Sequence, residues 1–475
     1  MAAHSIPVTM QLLTSQHVKK NFTHAAMRRW WRASSRSSGC FCCRQLSSAV
    51  PGTKLLRNEW QGVVGLEIHA QIITRTKLFS RSPVQHNAPP NTCITAFDLA
   101  HPGTLPVLNK RCVEAAVTTA MALQARINYV SYFDRKHYFY PDMPAGYQIT
   151  QQRVPVAEDG EITFLVLPPD GRPYVHATHL ERIQIEQDSG KTLHDRDNNR
   201  VFVDLNRAGV GLLELVFGPT LRNAAEAAGL VQHLRHVLLK LGVCSGRMNE
   251  GALRVDANVS VRQPGQPLGT RTEIKNINSI KFLIDAIEQE QERQVSLLEE
   301  GGEVINETRR YDPDLHTTIS MRDKEGLQDY RFMPEPNLPP LRIYNSSEQL
   351  YPPPNTNSVD VSTLPRLPVL PGITSETVEL LLQKLPDHWI PIMMYEPGMC
   401  KFFLSMVDYV EKNTVGDSPD IDQATVSPDR TVERNNRRNK HESSKYQSSQ
   451  SEVVSEDASV AAKEHLVEHK DGGQT

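Results

Sequence analysis

Between Leu180 and Val216 the chain reads LERIQIEQDSGKTLHDRDNNRVFVDLNRAGVGLLELV, and two period-two runs in it constrain the fold more than any other stretch. Ile183 and Ile185 alternate with Gln184, Glu186 and Asp188, which predicts a strand with one apolar face and one face of carboxylates. After a polar turn, Val201, Val203 and Leu205 alternate with Asp204 and Asn206. A Gly-containing corner then leads into LLELV, where Glu214 stands alone among apolar neighbours. An ionised acid there is costly to bury unless a cation, a proton or a hydrogen-bond donor meets it. A salt bridge or a strand end would meet that need, and so would a functional site.

Other runs carry the same period. In GVVGLEIHAQI, Leu66, Ile68, Ala70 and Ile72 point one way and Glu67, His69 and Gln71 the other. Carboxylates with one imidazole and no thiolate suit a hard ion such as Mg²⁺ or Mn²⁺ better than zinc. LRVDANVSVR alternates most strongly, with Arg254, Asp256, Asn258, Ser260 and Arg262 outward, and the loop QPGQPLG returns it into TRTEIKNIN, where Arg271, Glu273 and Lys275 share a face. These two runs are expected to pair as an antiparallel hairpin whose mixed charges suit phosphate and sugar groups. Helices are expected over 111–126, 222–242 and 279–300, near 375–385 and over 398–412, and 81–109 reads as a long loop. Six aromatic residues lie beside Arg135 and Lys136 in YFDRKHYFYPDMPAGYQITQ; such a mixture can stack bases, hold a phosphate, or form the edge of a core.

Composition sets the limits. A net charge of −3 gives no global basic field, so any contact with nucleic acid has to be local. No apolar run approaches the roughly 18 residues that span a bilayer, so no membrane span is expected. The 475 residues allow about two or three domains. Residues 1–58 hold no Asp or Glu but many Arg, Lys, Ser and Ala, the composition of a mitochondrial transit peptide, with a basic nucleic-acid-binding arm as the other reading. Cys93, Cys112, Cys244 and Cys400 are too scattered for a zinc knuckle or a disulfide framework. From about 413 to 475 a polar tail without periodicity is expected to be disordered.

Two common site types are excluded. Ser189-Gly190-Lys191-Thr192 looks like the end of a phosphate-binding loop, but the required upstream glycine is Ile185. No G-x-S-x-G elbow is present. What remains is a set of acids, Glu67, Glu186, Asp188 and Glu214, with His69 and a cationic strand face: a metal- and phosphate-handling enzyme.

The ordered blocks GLEIHAQI, TKLFS, PGTLPVLN, RKHYFYPDMPAGYQITQ, EQDSGK, DLNRAGVGLLELV, EGALRVDANVSVR, TEIKNINS and DYRFMPEP resemble the B-subunit of the aspartyl/glutamyl-tRNA(Asn/Gln) amidotransferases, in its mitochondrial form, from about Val63 to Pro340. The resemblance implies an α+β fold, a large mainly antiparallel sheet cradled by helices as in the catalytic domain of glutamine synthetase, followed by a partial helical segment and a disordered tail. It divides the chain into a transit peptide (1–58), a catalytic cradle (59–345), a linker with a partial helical domain (346–412) and the tail (413–475). It implies a ligase of the mitochondrial matrix that uses ATP and Mg²⁺ to phosphorylate the side-chain carboxylate of Glu-tRNA(Gln). Ammonia then displaces the phosphate to give Gln-tRNA(Gln). The implied partners are the amidase, or A-subunit, which supplies ammonia, and the small C-subunit, in a heterotrimer. The other reading is a non-catalytic scaffold that docks the amidase.

By resemblance the metal and catalytic site falls on Glu67, His69, Glu186 and Glu214. Arg254, Arg271 and Lys275 are then expected at phosphates or the tRNA 3′ end, and Lys136 and Tyr147 on the ammonia path. Gln184, Gln187, Ala145 and Gly211 depart from the family pattern, which has His, Glu, Lys and Pro there. The family's C-terminal domains grip the tRNA body, whereas here the resemblance fades by about residue 410, so an altered or truncated C-terminus is expected.

Overall fold

In a computed structural model the described residues are 59–414, apart from 196, 322–329, 348–356, 369, 371 and 397. The transit-peptide expectation for 1–58 and nearly all of the expected tail lie outside them. The chain enters through β1 (Gln61–Gln71), crosses the loop over 81–109, and forms α1 (Lys110–Ala122), whose first turn is capped by the Asn109 side chain accepting from Arg111 N at 3.0 Å. Short strands β2 (Arg126–Ile127), β3 (Val130–Ser131), β4 (Asp134–His137) and β5 (Tyr147–Thr150) follow. Then come the long β6 (Ala157–Val166) and β7 (Tyr174–Gln187), the hairpin β8 (Lys191–Asp195) and β9 (Arg200–Asp204), and β10 (Gly211–Leu221).

Helix α2 (Ala224–Lys240) begins where Asn223 accepts from Glu226 N at 2.9 Å and ends ahead of Gly242, whose φ of 67° suits a residue without Cβ. Strands β11 (Leu253–Arg262) and β12 (Thr272–Ile277) make the expected hairpin, with Asn258 opposite Glu273. Helix α3 (Ile280–Glu299) leads to β13 (Thr308–Asp312), β14 (Thr317–Ser320), β15 (Arg331–Pro334), β16 (Leu341–Tyr344) and β17 (Ser358–Asp360). Helices α4 (Ser375–Lys384), α5 (Ile390–Tyr395) and α6 (Met399–Thr414) close the described chain. Among the described residues no helix is long and apolar enough to cross a membrane.

Nine strands form one sheet in the order β14-β13-β12-β11-β1-β10-β7-β6-β2, antiparallel except for the β12–β13 pair. The fold is thus α+β with a large, mostly antiparallel sheet and helices against it. Leu66, Ile68, Ile183, Ile185, Leu213, Leu215, Val255 and Ala257 are fully buried on one face, in a core shared with α1, α2 and α3. The helical face of each strand is therefore read directly from its apolar alternation.

Sequence reasoning starts β7 at Leu180 and expects no strand over Ala157–Val166, whereas the structure has both. Phe164 and Val166 enter the main core while Leu165 enters a second cluster with Ile373, Leu381, Ile390 and Met393. Both faces of that strand end are covered, so its apolar residues run together and the period of two is lost.

The opposite, polar face of the large sheet is half covered by the three-stranded sheet β15-β4-β5. Beyond Ile183 strand β7 has left its β6 partner, and side chains of β5 and the residue after it take over. Ile185 N donates to Gln151 Oε1 at 3.1 Å, and Gln148 Nε2 donates to Gln187 O at 2.6 Å. Chain contacts divide the molecule into one unit through Val407 and a second from Asp408. Within the first, the Ile373–Val407 segment builds the second core cluster with Leu165, Leu167 and Val175 of the sheet.

Candidate functional site

Strand register places the polar residues in rows. His69 on β1 lies opposite Glu214 on β10 and opposite Arg254 on β11, while Glu214 lies opposite Gln184 on β7, so four strands contribute one line of side chains. The next row along is Arg182, Val216, Glu67 and Asp256. Glu186 lies two residues beyond Gln184 on the same face of β7.

Ligand atoms of His69, Glu186 and Glu214 all lie within 4.8 Å of one another, and His69 Nε2 is 3.6 Å from Glu186 Oε1. Glu67 groups instead with Asp256 and Glu273, again within 4.8 Å. The four residues expected at one ion thus occupy two adjoining clusters. Glu67, Glu186 and Glu214 line one cleft, together with Lys136, Thr150, Gln152, Arg182, Gln184, Val216 and Phe332.

The second sheet makes this face far drier than a solvent-facing one. Glu186 and Gln184 are 4% and 5% exposed, and burial followed by the neighbouring Glu214 charge holds the Glu186 carboxyl well above its ordinary range. Burial also pushes Glu214 up, but His69, the hydrogen bond with Glu186, Lys136 and Gln184 outweigh it and bring it below the usual value. The two carboxyls titrate as a pair, with Glu186 displaced upward and Glu214 downward. Glu67 is raised by burial and by Glu214, Glu273 and Asp256, against one hydrogen bond from Asn258 Nδ2 at 3.1 Å.

Gln184 ties the row together. Its Nε2 donates to Glu214 Oε2 and, at 3.3 Å, to Thr150 Oγ1. The carboxylate partner fixes which end of the amide is nitrogen, and Oε1 is left buried without a hydrogen-bond donor. Oxygen donors with one imidazole, an excess of negative charge and an unmet carbonyl oxygen fit a hard divalent cation.

The expected cationic face differs from expectation at Arg254. Its side chain is 13% exposed and is taken by Asp188, with Nη2 3.0 Å from Oδ1 and Nη1 3.2 Å from Oδ2. Lys275 Nζ lies 3.4 Å from Glu273 Oε2, and Arg271 is exposed just ahead of β12. Lys136 reaches the acid cleft with its ammonium 4.5 Å from the centre of the Tyr330 ring. Tyr147 lines a separate cavity with Arg135, under which its ring stacks at 4.2 Å, and with Asp98 and His101. The segment Ser189-Gly190-Lys191-Thr192 leads into the β8–β9 hairpin rather than a helix, in keeping with its exclusion as a phosphate loop. Sequence reasoning placed Asp256 and Glu273 on the charged face of the β11–β12 hairpin without assigning them to an acid cluster, and it missed Arg182, Thr150 and Phe332 as cleft members. Cys93, Cys112, Cys244 and Cys400 are free thiols.

An acid-lined cleft on the polar face of a large, mostly antiparallel sheet, with helices on the other face, has the layout of a catalytic domain. Residues 62–349 match the family model described as the GatB/GatE catalytic domain, and the chain belongs to that family. It is 49% identical over 377 residues to the mitochondrial glutamyl-tRNA(Gln) amidotransferase B-subunit of Danio rerio, covering 78% of this chain and 67% of the relative. Against the Homo sapiens protein of the same description the identity is 50% over 361 residues, covering 75% and 64%. Against that of Aedes aegypti it is 57% over 288 residues, covering 60% and 54%. The chain thus spans between 54% and 67% of the length of these three relatives.

Proposed function

We propose that this chain is the kinase and transamidation component of a mitochondrial tRNA-dependent amidotransferase, working with an amidase and a small third component on Glu-tRNA(Gln). The observation that carries this reading is the convergence of His69, Glu186 and Glu214 at a cleft that also presents Lys136 and Arg182. A carboxylate is a poor electrophile because its leaving group would be oxide. Attack of the glutamyl carboxylate oxygen on the γ-phosphorus of ATP releases ADP and gives an acyl phosphate. Ammonia nitrogen then attacks the carbonyl carbon, phosphate leaves, and the nitrogen loses a proton.

His69, Glu186 and Glu214 would hold Mg²⁺, with Glu67 beside them in the adjoining cluster, and the ion would supply neutralisation of phosphate charge. Lys136 and Arg182 stand where they can bind phosphoryl oxygens, and Gln184 orients Glu214. The burial of Gln184 and Glu186 under the small sheet strengthens the charge interactions they make. Arg271 and Lys275 border the second acid cluster and would meet the tRNA 3′ end. Residues 1–58 would act as a matrix-targeting segment, 59–345 as the catalytic cradle, 346–412 as a linker with a partial helical domain, and 413–475 as a polar tail.

The test is the assembled complex given ATP, Mg²⁺, glutamine and Glu-tRNA(Gln). Gln-tRNA(Gln) is expected, and Glu214→Ala is expected to abolish it while leaving assembly intact. A chain that assembles and never consumes ATP would be the scaffold instead.

A further inference from the structure

Phe332 interrupts the chemistry of the acid cleft. The wall is otherwise charged or polar apart from Val216, yet this ring lies in it 40% exposed. A single exposed phenylalanine on an open surface needs no explanation. One that lines a charged cleft leaves a flat apolar face bordering groups built to hold anions and cations. Strand pairing sets Phe332 on β15 directly across from Lys136 on β4. The neighbouring aromatic, Tyr330, is already engaged, with the Lys136 ammonium 4.5 Å from its centre and the Tyr138 ring at 6.0 Å. Among the described residues no aromatic ring pairs with Phe332.

We propose that Phe332 is the platform on which an adenine ring stacks while the phosphate-bearing end of the same ligand faces the acids, Lys136 and Arg182. A nucleotide combines these two parts: a flat π-surface and, one sugar away, an anion that needs cations. The inference rests on the proposed function and deepens it. Two ligands of that reaction carry the ring, ATP and the terminal adenosine of the aminoacylated tRNA, and the experiment separates them.

Phe332→Leu and Phe332→Tyr versions of the whole chain are compared with the unmodified one for binding of three probes in Mg²⁺. The probes are ATP, inorganic tripolyphosphate, and an RNA minihelix ending in adenosine. Leucine keeps the apolar volume and removes the π-face, whereas tyrosine keeps the π-face. For the leucine variant the affinity for one adenine-bearing probe is expected to fall by about tenfold, the scale of one base–aromatic stack. Tripolyphosphate binding is expected to stay unchanged, and tyrosine to retain the wild-type affinity. Loss on ATP assigns the ring to the nucleotide, and loss on the minihelix assigns it to the tRNA end. Unchanged affinity of the leucine variant for both adenine probes, or a parallel loss on tripolyphosphate, overturns the proposal. If the unmodified chain binds neither ATP nor tripolyphosphate, the proposed function itself fails.

Discussion

Arg254 and Asp188 meet across the polar face of the sheet through paired hydrogen bonds of 3.0 and 3.2 Å, and Gln71 Nε2 completes the shell at 2.9 Å from Asp188 Oδ2. Burial alone would raise the Asp188 carboxyl, but Arg254 and Arg207 hold it below its ordinary value. Arg254 stands in the row of His69, on the neighbouring strand. Removing one partner of a buried pair leaves the other charge uncompensated, which costs about 3–5 kcal/mol. Arg254→Met is therefore expected to lower the unfolding free energy measured in urea by that amount, seen as a lower midpoint. Arg254→Lys is expected to recover little, because an ammonium cannot reproduce the two-pronged geometry. An Arg254→Met chain of unchanged midpoint but weakened ATP binding would return Arg254 to the phosphates.

Gln184 predicts a metal effect through the carboxylate that it holds. Its amide holds Glu214 and Thr150 in place, and such supporting hydrogen bonds are worth about 10–100-fold in metal affinity. Gln184→Leu is expected to weaken Mn²⁺ binding on that scale, read by titration against the unmodified chain. Gln184→His, which retains a donor toward Glu214, is expected to lie nearer wild type. Equal Mn²⁺ affinity in all three chains would show that Glu214 needs no such support.

The rows of the site were readable where one sheet face is apolar and the other polar. Glu67, His69 and Glu214 declare themselves because Leu66, Ile68, Leu213 and Leu215 beside them are fully buried. Strand β6 was only partly readable: Ile162 and Phe164 alternate with Glu161 and Thr163, but at Leu165, covered on both sides, the alternation ends. Nor could local pattern show that the polar face is covered. That cover pairs Asp134 with Pro334 and Lys136 with Phe332, contacts that only the folded chain brings together. The same holds for the partner of Arg254: its outward position follows from period two, while Asp188 as its ligand follows from the register of three other strands.

Two histidines make the helical segment sensitive to acid. His233 and His236 on α2 meet the Tyr395 ring of α5 at 5.7 and 5.0 Å, and His233 Nδ1 has no hydrogen-bond partner. Burial, then the mutual repulsion with His236, depresses His233 to about 4. The folded value lies below the unfolded one, so the unfolded chain takes up the proton first. The stability due to neutral His233 is present above pH 6.5 and is lost as pH falls toward 4. The loss for His233 amounts to about 2 kcal/mol at pH 5. Urea midpoints at pH 7 and pH 5 are expected to differ more for the unmodified chain than for His233→Leu. An equal acid shift in both chains would place the sensitivity elsewhere.

The far edge of the sheet depends on a single carboxylate. Glu290 on α3 has no exposed surface and accepts from Thr272 Oγ1 at 2.8 Å, Thr318 Oγ1 at 2.7 Å, Gln294 Nε2 at 2.9 Å and Arg293 Nη2 at 2.7 Å, with Arg309 Nε 3.2 Å away. These donors come from α3, β12, β13 and β14, so one acid fastens the helix to three strands. Burial would raise its pKa, but the hydrogen bonds from Arg293, Gln294 and Thr318 and the Arg293 charge bring it below the ordinary value. Glu290→Gln presents an N–H₂ to donors and leaves Arg309, 8% exposed, without its full counter-charge. The expected loss is about 3–5 kcal/mol by urea unfolding. Metal affinity measured well below the midpoint is expected to stay unchanged, since Glu290 lines no part of the acid cleft. Replacing both members, Glu290→Met with Arg309→Met, is expected to regain part of the loss, because neither of the two most buried charges is left without its partner. A double variant less stable than Glu290→Gln would mean that the edge is held by Arg309 through its bonds to Thr318 rather than through the ion pair.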